Sequence, residues 1–191
     1  MAWVKTVEPD QATGLLRGQY ERTCKGLGVG EYPNLVKAWS LQPEVAQAWL
    51  DLGHLAQAKA GLDERQQELL LTRITYLLKC AYVTTNHAWI LRKQGVYSTE
   101  EVISTIHDWR KSALGARDKA MLAFGDKMAL RSHDIDQADT DSLRKVGFSE
   151  EQITALIFLI GWLVTDAIIP NGLGPEPDSY SKDMRRVVDW R

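Results

Sequence analysis

The chain has 191 residues, a formal net charge of −2 and 45% hydrophobic residues, which suits one globular domain with a sizeable core. Nothing in the near-neutral balance advertises a nucleic-acid partner, which usually shows as a basic patch and a high pI. The longest apolar run, "ALIFLIGWLV" at 155–164, is half of what a membrane span requires. Met1 leads straight into a charged segment, Ala2-Trp3-Val4-Lys5, without a signal-peptide pattern. Two cysteines, Cys24 and Cys80, give little material for structural disulfides. The expectation is a cytoplasmic protein with no nucleic-acid or membrane partner.

Helical periodicity dominates from the first segment onward, and strand alternation is hard to find. Helices are predicted over 10–26, 34–41, 43–60, 63–79, 81–94, 98–106, 116–131, 137–146 and 149–170. In the third, Val45, Trp49, Leu52 and Leu55 recur at helical steps, with Pro43 at the start and Gly61 after the end. Ser40 and Asp63 stand ahead of helices. "YSTEE" and "GFSEEQ" place a hydroxyl before two acids, where the first turn favours negative charge. The segment "PNGLGPEPDSY" reads as a loop. The expected organisation is one domain over 1–175 and a C-terminal tail over 176–191, of uncertain order. The product is an all-α bundle.

The stretch "KCAYVTTNH", residues 79–87, carries the candidate chemistry. Cys80, Val83 and His87 fall at i, i+3 and i+7, so thiol and imidazole share one helix face. A histidine there can take the cysteine's proton or act alone as acid or base. Glu68 lies 12 residues before Cys80, about 18 Å away along an unbroken helix at 1.5 Å per residue. It joins the others only if the chain breaks near 78–80 and the two helices fold past each other. Beside apolar Leu69, Leu70 and Leu71, a buried Glu68 would move protons near neutral pH. The competing readings are a solvated glutamate, a core-filling cysteine and a structural histidine.

Elsewhere, Trp162 reads as core or interface. Asp166, among Leu163, Val164 and Ile168, is either exposed or paired, with Arg73 as one candidate partner. His54 and His107 read as helix-surface residues and His133 as loop. The four histidines share no metal-ligand spacing and no phosphate-cradling glycine motif is present, so neither metal nor cofactor is expected.

The segment "ELLLTRITYLLKCAYVTTNHAWILRKQG" resembles the core of the carboxymuconolactone decarboxylase and alkylhydroperoxidase D-like superfamily, with Glu68, Cys80 and His87 in register. The segments "MAWVKTVEPDQATGLLRGQYE", "YPNLVKAWSLQPEVAQAWLDL" and "LRKVGFSEEQITALIFLIGWLVTDAI" resemble flanking parts of the peroxidase-related branch, so the likeness covers about residues 1–173. It implies an alkylhydroperoxidase D-like helical bundle that assembles as a dimer, trimer or hexamer. In the peroxidase branch, two cysteines reduce hydroperoxides with electrons from a lipoyl-type partner. In the decarboxylase branch, a tyrosine–glutamate step precedes a histidine that protonates a small lactone acid.

Val83 stands where one branch has its second cysteine and the other its glutamate, while Tyr82 matches the decarboxylase tyrosine. A dithiol cycle is therefore excluded, and a lone Cys80 sulfenic acid would need an external reductant. The resemblance implies His87 as general acid or base, Glu68 as its relay, Cys80 as a further catalytic candidate, and Tyr82 and Val83 in the substrate pocket. The expected function is decarboxylation, isomerisation or lactone chemistry on a small organic acid, a lyase-like activity. The alternatives are a single-thiol peroxidase and a non-catalytic binding or assembly protein.

Overall fold

A computed structural model describes residues 2–190. Among these, no strand occurs, and nine α-helices follow in order: α1 (Gly14–Leu27), α2 (Asn34–Ala38), α3 (Pro43–Lys59), α4 (Glu64–Leu77), α5 (Ala81–Lys93), α6 (Thr99–His107), α7 (Ala116–Arg131), α8 (Gln137–Lys145) and α9 (Glu150–Leu173). Three 3-10 segments, Trp109–Lys111, Ser132–Asp134 and Ser179–Val187, complete the chain.

The helix starts have local causes. Asp63, Ser98, Asp136 and Ser149 each close a reciprocal capping box with the residue three positions on, satisfying N–H groups that the first turn would otherwise leave bare. Ser40 is not a cap: its hydroxyl instead accepts the Val7 N–H at 2.7 Å. Helix α9 runs past Pro170 to Leu173 and stops where Gly174 takes a left-handed conformation. A proline removes one backbone donor near that end, whereas the left-handed residue terminates the helix.

Helices α4 and α5 form the central antiparallel pair, and α9 packs across α3, α4 and α7. Leu69, Leu70, Ile74, Leu91, Leu122, Leu156 and Ile160 are fully buried between them. Gly53 of α3 lets α9 approach closely: a Cβ there would stand 2.2 Å from Trp162 Cε2. Arg73 of α4 forms a bidentate pair with Asp126 of α7, both bonds 2.9 Å, and also donates to the Ile106 carbonyl. Asp126 is thus the partner of Arg73, and Asp166 is not. Helix α9 is long and apolar enough to cross a membrane by length and composition, and 56% of its apolar window is buried inside the protein. Its other face leaves Phe158 and Ile168 exposed, and Phe158 lines a surface groove with Leu52 and Leu55 of α3.

The segment set apart as a tail is part of the core. Asp178, Ser181, Met184 and Val187 are all buried, and Ser179–Val187 packs along α5. Its signal is hard to read in sequence because a 3-10 turn eclipses residues at i and i+3 and offers no long periodic stripe.

Candidate active site

The chain does break where Glu68 needs it to. Leu78 ends α4, Lys79 adopts φ +58° and Cys80 opens α5. Cys80 N–H donates to the Thr75 carbonyl at 2.9 Å and Lys79 N–H to the Tyr76 carbonyl at 3.1 Å, the paired bonds of a Schellman turn. The left-handed position usually falls to glycine, and a lysine there costs about 1 kcal/mol. The Lys79 ammonium lies 4.3 Å from the Trp190 ring centroid and 5.1 Å from that of Tyr76, contacts that offset part of the strain.

The reversal brings α5 back along α4. His87 Nδ1 reaches Glu68 Oε2 at 2.7 Å, and Thr84 donates to Thr75 at 3.1 Å one turn nearer the break. Burial alone would lower the His87 pKa, but the Glu68 carboxylate, with Asp166 beyond it, outweighs burial and raises it above the ordinary imidazole value. Because Glu68 occupies Nδ1, Nε2 is the nitrogen left to meet a ligand.

Glu68 and His87 line a cavity of about 300 Å³. Trp39, Trp49 and Trp162 form one side, with Trp49 stacked on Trp162 at 4.9 Å between centroids and Trp39 edge-on to Trp49 at 5.9 Å. Tyr82, Val83, Asn86 and Tyr180 line another part, His54 and Gln57 a third. Asp166 completes the wall. It is only 4% exposed, and burial pushes its pKa up to about 6, with His87 pulling it down and Glu68 adding to the rise.

The five expected site residues divide here. Glu68 and His87 meet as a bonded pair on the cavity wall, and Tyr82 and Val83 line the same cavity. Cys80 is fully buried at the helix junction and is not among the described lining residues. The Tyr82 hydroxyl is committed inward: it donates to Asp178 Oδ2 at 2.6 Å and accepts the Leu35 N–H at 3.1 Å. Burial first, then the Asp178 charge, holds its pKa well above 10.

Asp178 is a site residue that sequence reasoning misses. It is 1% exposed and accepts from Asn34 N–H, Tyr82, Asn86 and Tyr180 at 2.6–3.1 Å. Burial raises its pKa although all four donors favour the carboxylate. Nothing local in "PDSY" marks such a hub, since its partners lie up to 144 positions away.

The class of protein is set by fold and site together: a helical bundle whose central helix pair carries a glutamate–histidine dyad on the wall of a partly open cavity. The structure is similar to an uncharacterised peroxidase-related protein from Ralstonia eutropha JMP134 with an alkylhydroperoxidase AhpD core, at TM-score 0.83 and 21% identity over 97% of this chain and 96% of the other. A peroxidase-related protein from Silicibacter sp. TM1040 superposes at TM-score 0.79, with 22% identity over 93% of each chain. The debrominase Bmp8, as a cysteine-to-alanine variant in complex with 2,3,4-tribromopyrrole, gives TM-score 0.80 and 14% identity over 98% and 97%. No curated protein matches by sequence. Residues 43–110 match the model of the carboxymuconolactone decarboxylase family. That segment is just over a third of the chain and holds Glu68, Cys80 and His87, and the fold over nearly the whole chain is similar to that of the AhpD-like proteins.

Proposed function

We propose that this chain is an enzyme that transfers protons to and from a small molecule through His87, with Glu68 fixing the ring. The observation that carries this reading is the 2.7 Å Glu68–His87 bond at the wall of the cavity. Glu68 orients the imidazole and stabilises its protonated form, so Nε2 gives a proton to a substrate carbon or oxygen and takes one back. That Bmp8, of the same fold, holds a small heterocycle supports a small-molecule substrate.

Isomerisation and lactone chemistry suit this wall better than decarboxylation of an organic acid. None of the described lining residues is Lys or Arg, while Glu68 and Asp166 both are acids, so a substrate carboxylate would meet like charge in a poorly hydrated site. The single-thiol reading is disfavoured by Cys80, which is fully buried and off the wall.

Small lactones and cyclic enones incubated in D2O, with exchange at the α-carbon followed by NMR, test the proposal. Wild type and Cys80→Ser are expected to catalyse exchange and His87→Ala to lose it. Exchange that survives in His87→Ala refutes His87 as the acid–base, and equal loss in Cys80→Ser assigns the chemistry to the thiol. The expected homo-oligomer would use the exposed apolar stripe of Val45, Leu52, Leu55 and Phe158; light scattering reads its size.

A further inference from the structure

Chemical selectivity is written into the same cavity, and the inference drawn from it rests on the proton-transfer reading above. The volume of about 300 Å³ is twice that of a cavity that holds benzene, about 150 Å³. Three indoles and two phenol rings line it, surfaces that favour a flat ring by offset or edge contact.

The polar groups facing the cavity are unbalanced. Glu68 comes from α4, His87, Tyr82 and Asn86 from α5, His54 and Gln57 from α3, Asp166 from α9 and Tyr180 from the 3-10 segment. Glu68 is spent on His87, and the Tyr82 and Tyr180 hydroxyls both donate to Asp178. Asp166 sits nine-tenths buried or more, has no cationic lysine or arginine among the cavity's described residues, and points the balance of charge toward negative. A carboxylate in that position is stabilised by a donor that a ligand brings.

We propose that the cavity binds a small planar aromatic molecule that carries an N–H, neutral or protonated, with Asp166 accepting that hydrogen, and that it rejects the equivalent carboxylate. The flat face lies on the tryptophans, the N–H is directed to Asp166, and the reacting edge faces His87 Nε2. A protonated amine gains additionally from the aromatic faces. The ionised Asp166 is the stronger, charge-assisted acceptor, and with its pKa near 6 the ionised fraction falls about tenfold from pH 7 to pH 5, weakening binding by up to the same factor.

Ligand-observed NMR titration with aniline, benzylamine, toluene and benzoate decides the matter without any turnover. Aniline and benzylamine are expected to bind at least tenfold tighter than toluene or benzoate. Asp166→Asn is expected to weaken both amines about ten- to hundredfold, as for loss of a charge-assisted hydrogen bond, and to remove their pH dependence. Toluene binding should be unchanged in Asp166→Asn, which shows that the variant keeps its cavity. Benzoate binding as tightly as the amines, or amines indifferent to Asp166→Asn, overturns the proposal. Either result leaves His87-dependent exchange untouched, whereas loss of that exchange with amine selectivity intact would overturn only the proton-transfer reading.

Discussion

Asp178→Ala is expected to destabilise the protein by about 2–4 kcal/mol. Four donors converge on the carboxylate, and two of them, the Tyr82 hydroxyl and the Asn86 amide, are buried. A buried donor left without an acceptor costs about 1–3 kcal/mol, so the two together cost about 2–6. The Asn34 N–H and the Tyr180 hydroxyl lie where water can replace the lost oxygen, and they add little. Against this, burial already disfavours the charged Asp178, and alanine relieves that penalty, which places the expected value in the lower part of the range. In a chain of this size each kcal/mol moves the melting temperature by about 2–4 °C, so thermal unfolding followed by circular dichroism should shift down by about 10 °C. Tyr82→Phe removes one of the four donors and should cost about 1 kcal/mol. A melting temperature within 2 °C of wild type for Asp178→Ala would refute the hub and return residues 176–190 to the status of a dispensable tail.

Asp166→Asn should be more stable than wild type at neutral pH. The carboxyl's pKa rises from 3.8 to about 6 on folding, so its favourable contribution is complete below pH 3.8 and lost as pH climbs through 6. A rise of that size corresponds to about 3 kcal/mol; equal denaturant midpoints for the two proteins at pH 7 would contradict this. Glu68→Gln should lower the His87 pKa, read by NMR of the imidazole, because the carboxylate that offsets burial is gone; an unchanged value would show that Glu68 does not hold the ring. Gly53→Ala drives a Cβ to within 2.2 Å of Trp162, and the overpacking should cost about 1–3 kcal/mol and disturb the Trp49–Trp162 stack, seen in near-ultraviolet circular dichroism.

The helix register is legible in the sequence where apolar residues recur at helical steps, as in α3, or where a capping box opens the first turn, as at Asp63, Ser98, Asp136 and Ser149. Predicted and observed boundaries for α3, α5 and α7 differ by one residue or less at each end. The dyad is legible in part: spacing puts Cys80 and His87 on one face, but only the reversal at Leu78–Cys80, with a lysine in a position that favours glycine, brings Glu68 to His87. Asp166 stands out as an acid in an apolar helix, yet its surroundings depend on how α9 crosses α3 to α5, which no local pattern encodes. The same holds for the tryptophan wall, assembled from α2's end, α3 and α9, and for Asp178.

The Schellman turn separates the site into two parts with different topological costs. Glu68 and His87 are 19 positions apart and are joined by one tight reversal, so their pairing closes a short loop. The wall around them depends on contacts such as Asn34 to Asp178, 144 positions apart. Loop-closure entropy grows with the logarithm of that separation, and long-range pairings are the slow steps of folding. The reacting pair therefore belongs to a local unit that can form early, and the enclosure closes around it afterwards. Local opening of the C-terminal segment would then admit water and ligand to an intact dyad, which makes hydrogen exchange faster in residues 176–188 than in α4 and α5 the kinetic signature of this arrangement.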